Sequence, residues 1–150
     1  MKIVIQRVTT AGVRIAHEQH AAIGSGLLVL VGVERGDDSK DVSAAAEKLV
    51  HLRVFPVQPG VDDRMDRSVL DISGEILLVS QFTLAGSIRK GRRPGFDSAA
   101  PPEQAEKLYE ALGEALRSRG ARVSTGVFRA MMQVELVNDG PVTFILDTRA

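Results

Sequence analysis

Three stretches of this chain carry residue types whose spacing suits chemistry: "VSQFTLAG" at 79–86, "SIRKGRRPG" at 87–95 and "VNDGPVTF" at 137–144. In the first, an apolar run gives way to Ser80, Gln81 and Thr83. Polar side chains at the C-terminal end of a buried strand in an α/β pattern occupy the place where ligands tend to bind; a strand that turns polar as it surfaces has the same appearance. In the second, Arg89, Lys90, Arg92 and Arg93 set four cations within five positions around Gly91. Most charge runs are only solvated, but a glycine-containing loop of this density also suits phosphate. In the third, Asn138, Asp139 and Gly140 tolerate positive φ, and apolar alternation on both sides makes a tight hairpin turn the local expectation. Pro141 complicates that turn, because it has no N–H to give to a returning strand.

Other candidates are weaker. His17 and His20 in "AHEQH", with only His51 besides, lack metal-ligand spacing, and no metal or cofactor is expected. "GSG" around Ser25 lacks the five-residue frame of a nucleophile elbow. Cysteine is absent, which removes disulfides, thiol nucleophiles and Cys-based zinc sites and is compatible with a reducing, cytoplasmic location. A formal net charge of zero predicts no global attraction to nucleic acid, so polyanion binding would have to be local. The longest apolar run, "LLVLVGV", is far short of the ~20 residues that span a bilayer, and no membrane association is expected.

The elements that must position these residues follow from periodicity. At 150 residues the chain reads as one domain, 1–150, able to bury roughly two thirds of its unfolded surface. "IVIQRVTTAGVRIA" alternates as a strand or hairpin, with a bend or bulge expected at Gly12. "GSGLLVLVGVE" and "EILLVSQFTLAG" read as buried strands. Asp38 or Ser39 caps a helix with Val42, Ala45, Ala46, Leu49 and Leu52 at helical spacing. "VFPVQPGVDDRMDRSVLDISG", with two prolines and two glycines, reads as an irregular connection. Pro101-Pro102, then Ala105, Leu108, Leu112, Leu116 and terminal Gly120, mark a second helix. Residues 121–148 alternate as strands. The expected class is α/β: mixed β-sheets covered on one side by two main helices.

"SQFTLAG" and "NDGPVT" together resemble the paired signatures of D-aminoacyl-tRNA deacylases, and the likeness extends over "MKIVIQRVT", "GLLVLVGVE" and "AEKLYEAL". This resemblance implies a deacylase-like fold and hydrolysis of the ester joining a D-amino acid to the terminal adenosine of tRNA. It further implies a homodimer in which a cis Gly140-Pro141 loop crosses into the partner's active site, reversing the local expectation of a plain turn. Carbonyls held there would accept from the substrate ammonium and crowd the L side chain, while glycine mischarged on tRNA-Ala would not be excluded. Arg7 would orient that loop.

By the same resemblance, backbone around Phe82 and Thr83 is the candidate oxyanion hole, Ser80 and Gln81 orient the adenosine, and the ribose 2′-hydroxyl assists. Covalent attack by Thr83 is the alternative; no Lys or His adjoins it in sequence to activate the hydroxyl. Arg89, Lys90, Arg92 and Arg93 would meet the tRNA backbone near its 3′ end. Two rival readings stand beside this one: a non-catalytic module for RNA 3′ ends, and a related deacylase that removes misacylated L-alanine.

Overall fold

A computed structural model describes residues 1–150. Its elements are β1 (Lys2–Ile15), β2 (Glu18–Ile23), β3 (Gly26–Gly32), α1 (Ser39–His51), β4 (Phe55–Gln58), β5 (Asp62–Arg67), β6 (Glu75–Ser80), a 3-10 turn (Phe82–Ala85), α2 (Pro102–Ser118), β7 (Arg122–Thr125) and β8 (Gln133–Asp147). One mixed sheet runs β2-β1-β3-β6-β7, and β8 pairs with β1. The class is therefore the expected α/β arrangement with two main helices.

Strands β3, β6 and β7 are parallel, and their connections carry α1 and α2. Strand alternation then sorts the core. Leu27, Val29, Ile76 and Leu78 belong to the larger cluster, with Leu49 and Ala46 of α1 and Leu112 and Leu116 of α2. Leu28, Leu77 and Val79 point the other way, against Val8, Val13 and Ile23. Both faces of these strands are buried, which is why their sequences are continuously apolar.

The helices start and stop where local chemistry dictates. Asp38 caps α1, its carboxylate accepting from the Lys40 N–H at 2.7 Å while Asp41 accepts from the Asp38 N–H at 3.0 Å. Helix α2 has proline in its first turn and closes at Gly120, whose φ of +92° lets the Ala121 N–H reach the Leu116 carbonyl at 3.1 Å. Along α2 the buried face includes Tyr109, whereas Leu108 is only half-buried.

Four expectations need correction. Gly12 pairs regularly with Ala22; the irregularity lies at Val13/Arg14 against β2 and between Val8 and Thr10 against β8. The extra residue in β1, Thr9, reverses the side-chain parity, so Ile3 and Ile5 face the helices while Ala11 and Val13 join the opposite cluster. The "irregular connection" contains the β4–β5 antiparallel pair, turning at Gly60 with φ +73°. The second buried strand ends at Ser80 rather than running through "FTLAG". Finally, "VNDGPVTF" is no hairpin. β8 continues in one direction along β1, from Gln133 opposite Arg14 to Asp147 opposite Lys2. Between Val8↔Asn138 and Gln6↔Thr143, β1 advances two residues and β8 five, so the segment between Asn138 and Thr143 bulges outward.

Candidate active site

The end of β6 is held to β3 before it turns. Ser80 pairs with Val31, and the Gln81 N–H donates to the Val31 carbonyl at 2.7 Å. The chain then tightens into the 3-10 turn, with Leu84 N–H on the Gln81 carbonyl at 3.1 Å and Gly86 N–H on the Thr83 carbonyl at 2.9 Å. Two glycines make room for it. A Cβ on Gly32 would lie 2.8 Å from Leu84 Cβ and 3.0 Å from the Gln81 carbonyl oxygen; one on Gly86 would lie 2.8 Å from the Phe96 ring.

Within the turn, Gln81 Nε2 donates to Thr83 Oγ1. Phe82 is 56% exposed and its ring packs on Phe96 at 5.1 Å between centroids. The Phe82 and Thr83 N–H groups, at the start of the turn, donate to no acceptor in the protein.

Residues 80–83 form one wall of a cleft of about 730 Å³, a size usual for small-ligand sites. Ala100, Pro102 and Ala105 also line it, as do residues 128–132 and Val134. Beneath lies Tyr109, whose hydroxyl donates to the Leu78 carbonyl at 2.7 Å and whose ring packs on Phe128 at 6.0 Å. Burial pushes its pKa up to about 12, so it remains a hydrogen-bond donor at neutral pH. The Leu78 carbonyl also accepts from the Gly126 N–H at 3.1 Å, tying the start of the 126–132 segment to the strand that ends in residues 80–83. Sequence reasoning missed the 128–134 wall. Its one available signal was four large apolar residues, Val127, Phe128, Met131 and Met132, within six positions.

Gly140 and Pro141 are not among the residues lining this cleft. Their peptide bond is cis, Gly140 has φ +123°, and both residues are exposed. The bulge is fixed from below by Arg7. Its Nε lies 3.2 Å from the Asp139 carbonyl oxygen and 3.1 Å from the Asp139 carboxylate, and a terminal guanidinium nitrogen donates to the Val54 carbonyl at 2.6 Å. Asn138 spans the bulge, accepting from the Val142 N–H at 2.8 Å and donating to Thr143 Oγ1 at 3.1 Å. Arg7 is thus brought to the Gly-Pro segment, while residues 80–83 stand apart from it in the same chain. On the outer strand β8, Leu136, Val137, Phe144 and Ile145 are exposed on either side of the bulge, and β8 pairs with β1 alone.

The basic loop is closed at its base by reciprocal backbone bonds between Ser87 and Gly95, at 2.8 and 2.9 Å. Arg89, Lys90, Arg92 and Arg93 are all exposed beyond it, and Gly91 turns the tip with φ +69°. Phe96 follows the loop and touches Phe82, so the cations stand next to the cleft wall. His17 lies in the β1–β2 turn with φ +67°, His20 is exposed on β2, and His51 contacts Glu47 on α1. No three potential ligand side chains cluster to hold a metal ion, and no helix is long and apolar enough to cross a membrane.

Residues 4–147 match the family model described as D-Tyr-tRNA(Tyr) deacylase. The chain is 54% identical over 148 residues to a D-aminoacyl-tRNA deacylase of Pelobacter propionicus, covering 98% of this chain and 99% of that one. It is 54% identical over 149 residues to another of Anaeromyxobacter dehalogenans, covering 99% and 98%. Among solved structures it resembles "c-Myc DNA Unwinding Element Binding Protein", with TM-score 0.90 and 44% identity over 98% of each chain. It also shares the fold of a "probable eukaryotic D-amino acid tRNA deacylase", with TM-score 0.82 at 16% identity over 97% of each.

Proposed function

The chain belongs to the D-Tyr-tRNA(Tyr) deacylase family, and we propose that it works as one catalytic domain, 1–150, at the cleft walled by residues 80–83. It is a D-aminoacyl-tRNA deacylase, an ester hydrolase. The observation that carries the catalytic assignment is the pair of unpartnered N–H groups at Phe82 and Thr83, in a turn fixed to β3 and lining the cleft.

Hydrolysis of an ester passes through a tetrahedral oxyanion, and two preorganised amides stabilise it without reorganising. Ser80 and Gln81 orient the terminal adenosine. The Thr83 hydroxyl is engaged by the Gln81 amide rather than by a base, which supports a positioning role over covalent attack. The nucleophile is water, assisted by the ribose 2′-hydroxyl.

Chirality is read by rejection. The carbonyls of Gly140 and Pro141 accept from the substrate ammonium and occupy the space an L side chain would need, so D-aminoacyl and glycyl esters, including glycine mischarged on tRNA-Ala, are cleaved. Because these residues do not line the cleft of their own chain, they serve the site of a partner in a homodimer. The unpaired outer edge of β8 and its exposed Leu136, Val137, Phe144 and Ile145 support that assembly. Arg7 keeps the loop in its orientation through Asp139. Arg89, Lys90, Arg92 and Arg93 draw in the tRNA backbone. The absence of a membrane-spanning helix and of cysteine supports work in the cytoplasm.

The test is deacylation of matched D-Tyr-, L-Tyr- and Gly-charged tRNA by the purified protein. Cleavage of the D and Gly esters with the L ester spared is expected. Cleavage of the L ester at a comparable rate would overturn the chiral reading, and binding without any cleavage would leave an RNA 3′-end module.

A further inference from the structure

We infer that Arg129 binds the phosphodiester linking the substrate's terminal adenosine to the preceding nucleotide, an inference that rests on the deacylase reading of the cleft. Three observations single this residue out. First, Arg129 is the one charged residue among those lining the cleft; the rest are apolar or neutral polar. Second, its guanidinium has no partner. Outside the 89–93 loop every other arginine donates to a carboxylate or a backbone carbonyl: Arg7, Arg14, Arg35, Arg53, Arg64, Arg67, Arg117, Arg119, Arg122 and Arg149. Arg129 forms no ion pair and no side-chain hydrogen bond, and no carboxylate lines the cleft with it. Third, its backbone has φ +63°, the left-handed region that disfavours a residue with a side chain. Neither packing nor internal pairing accounts for an arginine at such a position.

The chemistry of the substrate supplies the missing partner. When the ester carbonyl lies at the Phe82 and Thr83 amides, the nucleoside occupies the remainder of the cleft that residues 128–132 also line, and the one anionic group of the terminal nucleotide is its 5′-phosphate. Arg129 is exposed in the lining of the same cleft, and a planar guanidinium suits two phosphate oxygens at once. The loop at 89–93 and Arg129 then divide the work. The loop meets backbone further from the ester, and Arg129 registers the last phosphate so that the ester arrives at the turn.

The experiment compares wild type with Arg129→Gly and Arg129→Lys. Glycine accepts the backbone conformation, so Arg129→Gly is expected to fold with an unchanged or raised Tm. With D-Tyr-tRNA, Arg129→Gly should raise KM about tenfold or more, leave kcat within about threefold, and reduce the salt dependence of binding by about 0.7 log units per log salt, the value for one phosphate neutralised on a single strand. Arg129→Lys should recover part of the affinity.

A second pair of substrates assigns the contact: D-tyrosyl-adenosine with and without a 5′-phosphate. Wild type should favour the phosphorylated form, and Arg129→Gly should lose that preference. An unchanged KM and salt slope on charged tRNA, or a 5′-phosphate preference that survives in Arg129→Gly, would overturn the inference while leaving the deacylase reading intact. A wild-type protein that cleaves no D-aminoacyl ester at all would overturn both.

Discussion

The turn at residues 82–85 is tied to β3 through the Gln81 N–H on the Val31 carbonyl and through the bare Cα of Gly32, whereas the loop from Ser87 to Gly95 is closed by bonds within itself, the Ser87–Gly95 pair and the Arg89 N–H on Ser87 Oγ. Behind the first lie the buried hydrophobic residues of β3 and β6, from Leu27 to Val79; the second carries four exposed cations and no ion pair. Under the proposed function, the difference follows from what each would have to do. Stabilising an oxyanion would require donors fixed to a fraction of an ångström, and the two amides follow directly on a strand buried on both faces. Attracting a polyanion would require only charge within a Debye length, and a loop held at its base alone could supply it without constraining the phosphates it meets.

The largest effect should come from moving the turn. Gly32→Val places atoms where Leu84 Cβ and the Gln81 carbonyl already are, at 2.8 and 3.0 Å from the new Cβ. A displacement of about 1 Å is expected to lower kcat about 100-fold or more, while tRNA binding and its salt slope stay as in wild type. Steady-state kinetics beside circular dichroism would check this; a folded Gly32→Val with near-normal kcat would mean that the turn is not the reacting wall. Next is Arg7→Ala, which releases Asp139 and leaves the Val54 carbonyl without its donor. Losing charge-assisted bonds of about 1.5–3 kcal/mol each should cut D-substrate kcat/KM about 10- to 100-fold and narrow the D/L ratio, measured on the matched tRNAs.

Smaller still is the combined change of Arg89, Lys90, Arg92 and Arg93 to Ala. It should weaken tRNA binding and flatten its salt dependence by up to about 0.7–0.9 log units per log salt for each phosphate no longer neutralised, with kcat on saturating substrate and Tm unchanged. An unaltered slope would reduce the loop to solvated surface. The smallest effect belongs to the support beneath the cleft. Tyr109→Phe removes one of two donors to the Leu78 carbonyl, the Gly126 N–H remaining at 3.1 Å, so a loss of about 0.5–1.5 kcal/mol in urea unfolding is expected, with little change in kcat.

Much of this was legible in the chain because it is local or periodic. Asp38 three residues before Asp41, proline at the head of α2 and glycine behind it mark helix ends wherever they occur, and the unbroken runs of β3 and β6 match strands buried on both faces. The β4–β5 pair was hidden because most of "DDRMDR" is exposed, leaving no alternation to read. The segment at 138–143 looks locally like a hairpin because Asn-Asp-Gly serves a turn or a bulge equally well. Only pairing with Arg7 and Gln6, more than 130 residues away, decides between them. The 128–134 segment escaped for a similar reason: Phe128 and Met132 join the cleft only when the parallel β6–β7 pairing brings the chain beyond β7 alongside the end of β6.

In the proposed mechanism the turn acts through its backbone and the substrate's own ribose, not through the Thr83 hydroxyl. The most direct measurement is single-turnover deacylation by Thr83→Ala and by wild type, using D-Tyr-tRNA ending in adenosine or in 2′-deoxyadenosine, with the quenched protein weighed by mass spectrometry. Thr83→Ala should retain measurable turnover on the ribose substrate, both proteins should cleave the deoxy ester poorly even when it binds, and no acyl adduct should accumulate. An acyl-Thr83 ester in wild type, together with full activity on the deoxy substrate and none in Thr83→Ala, would contradict that mechanism and make Thr83 the nucleophile.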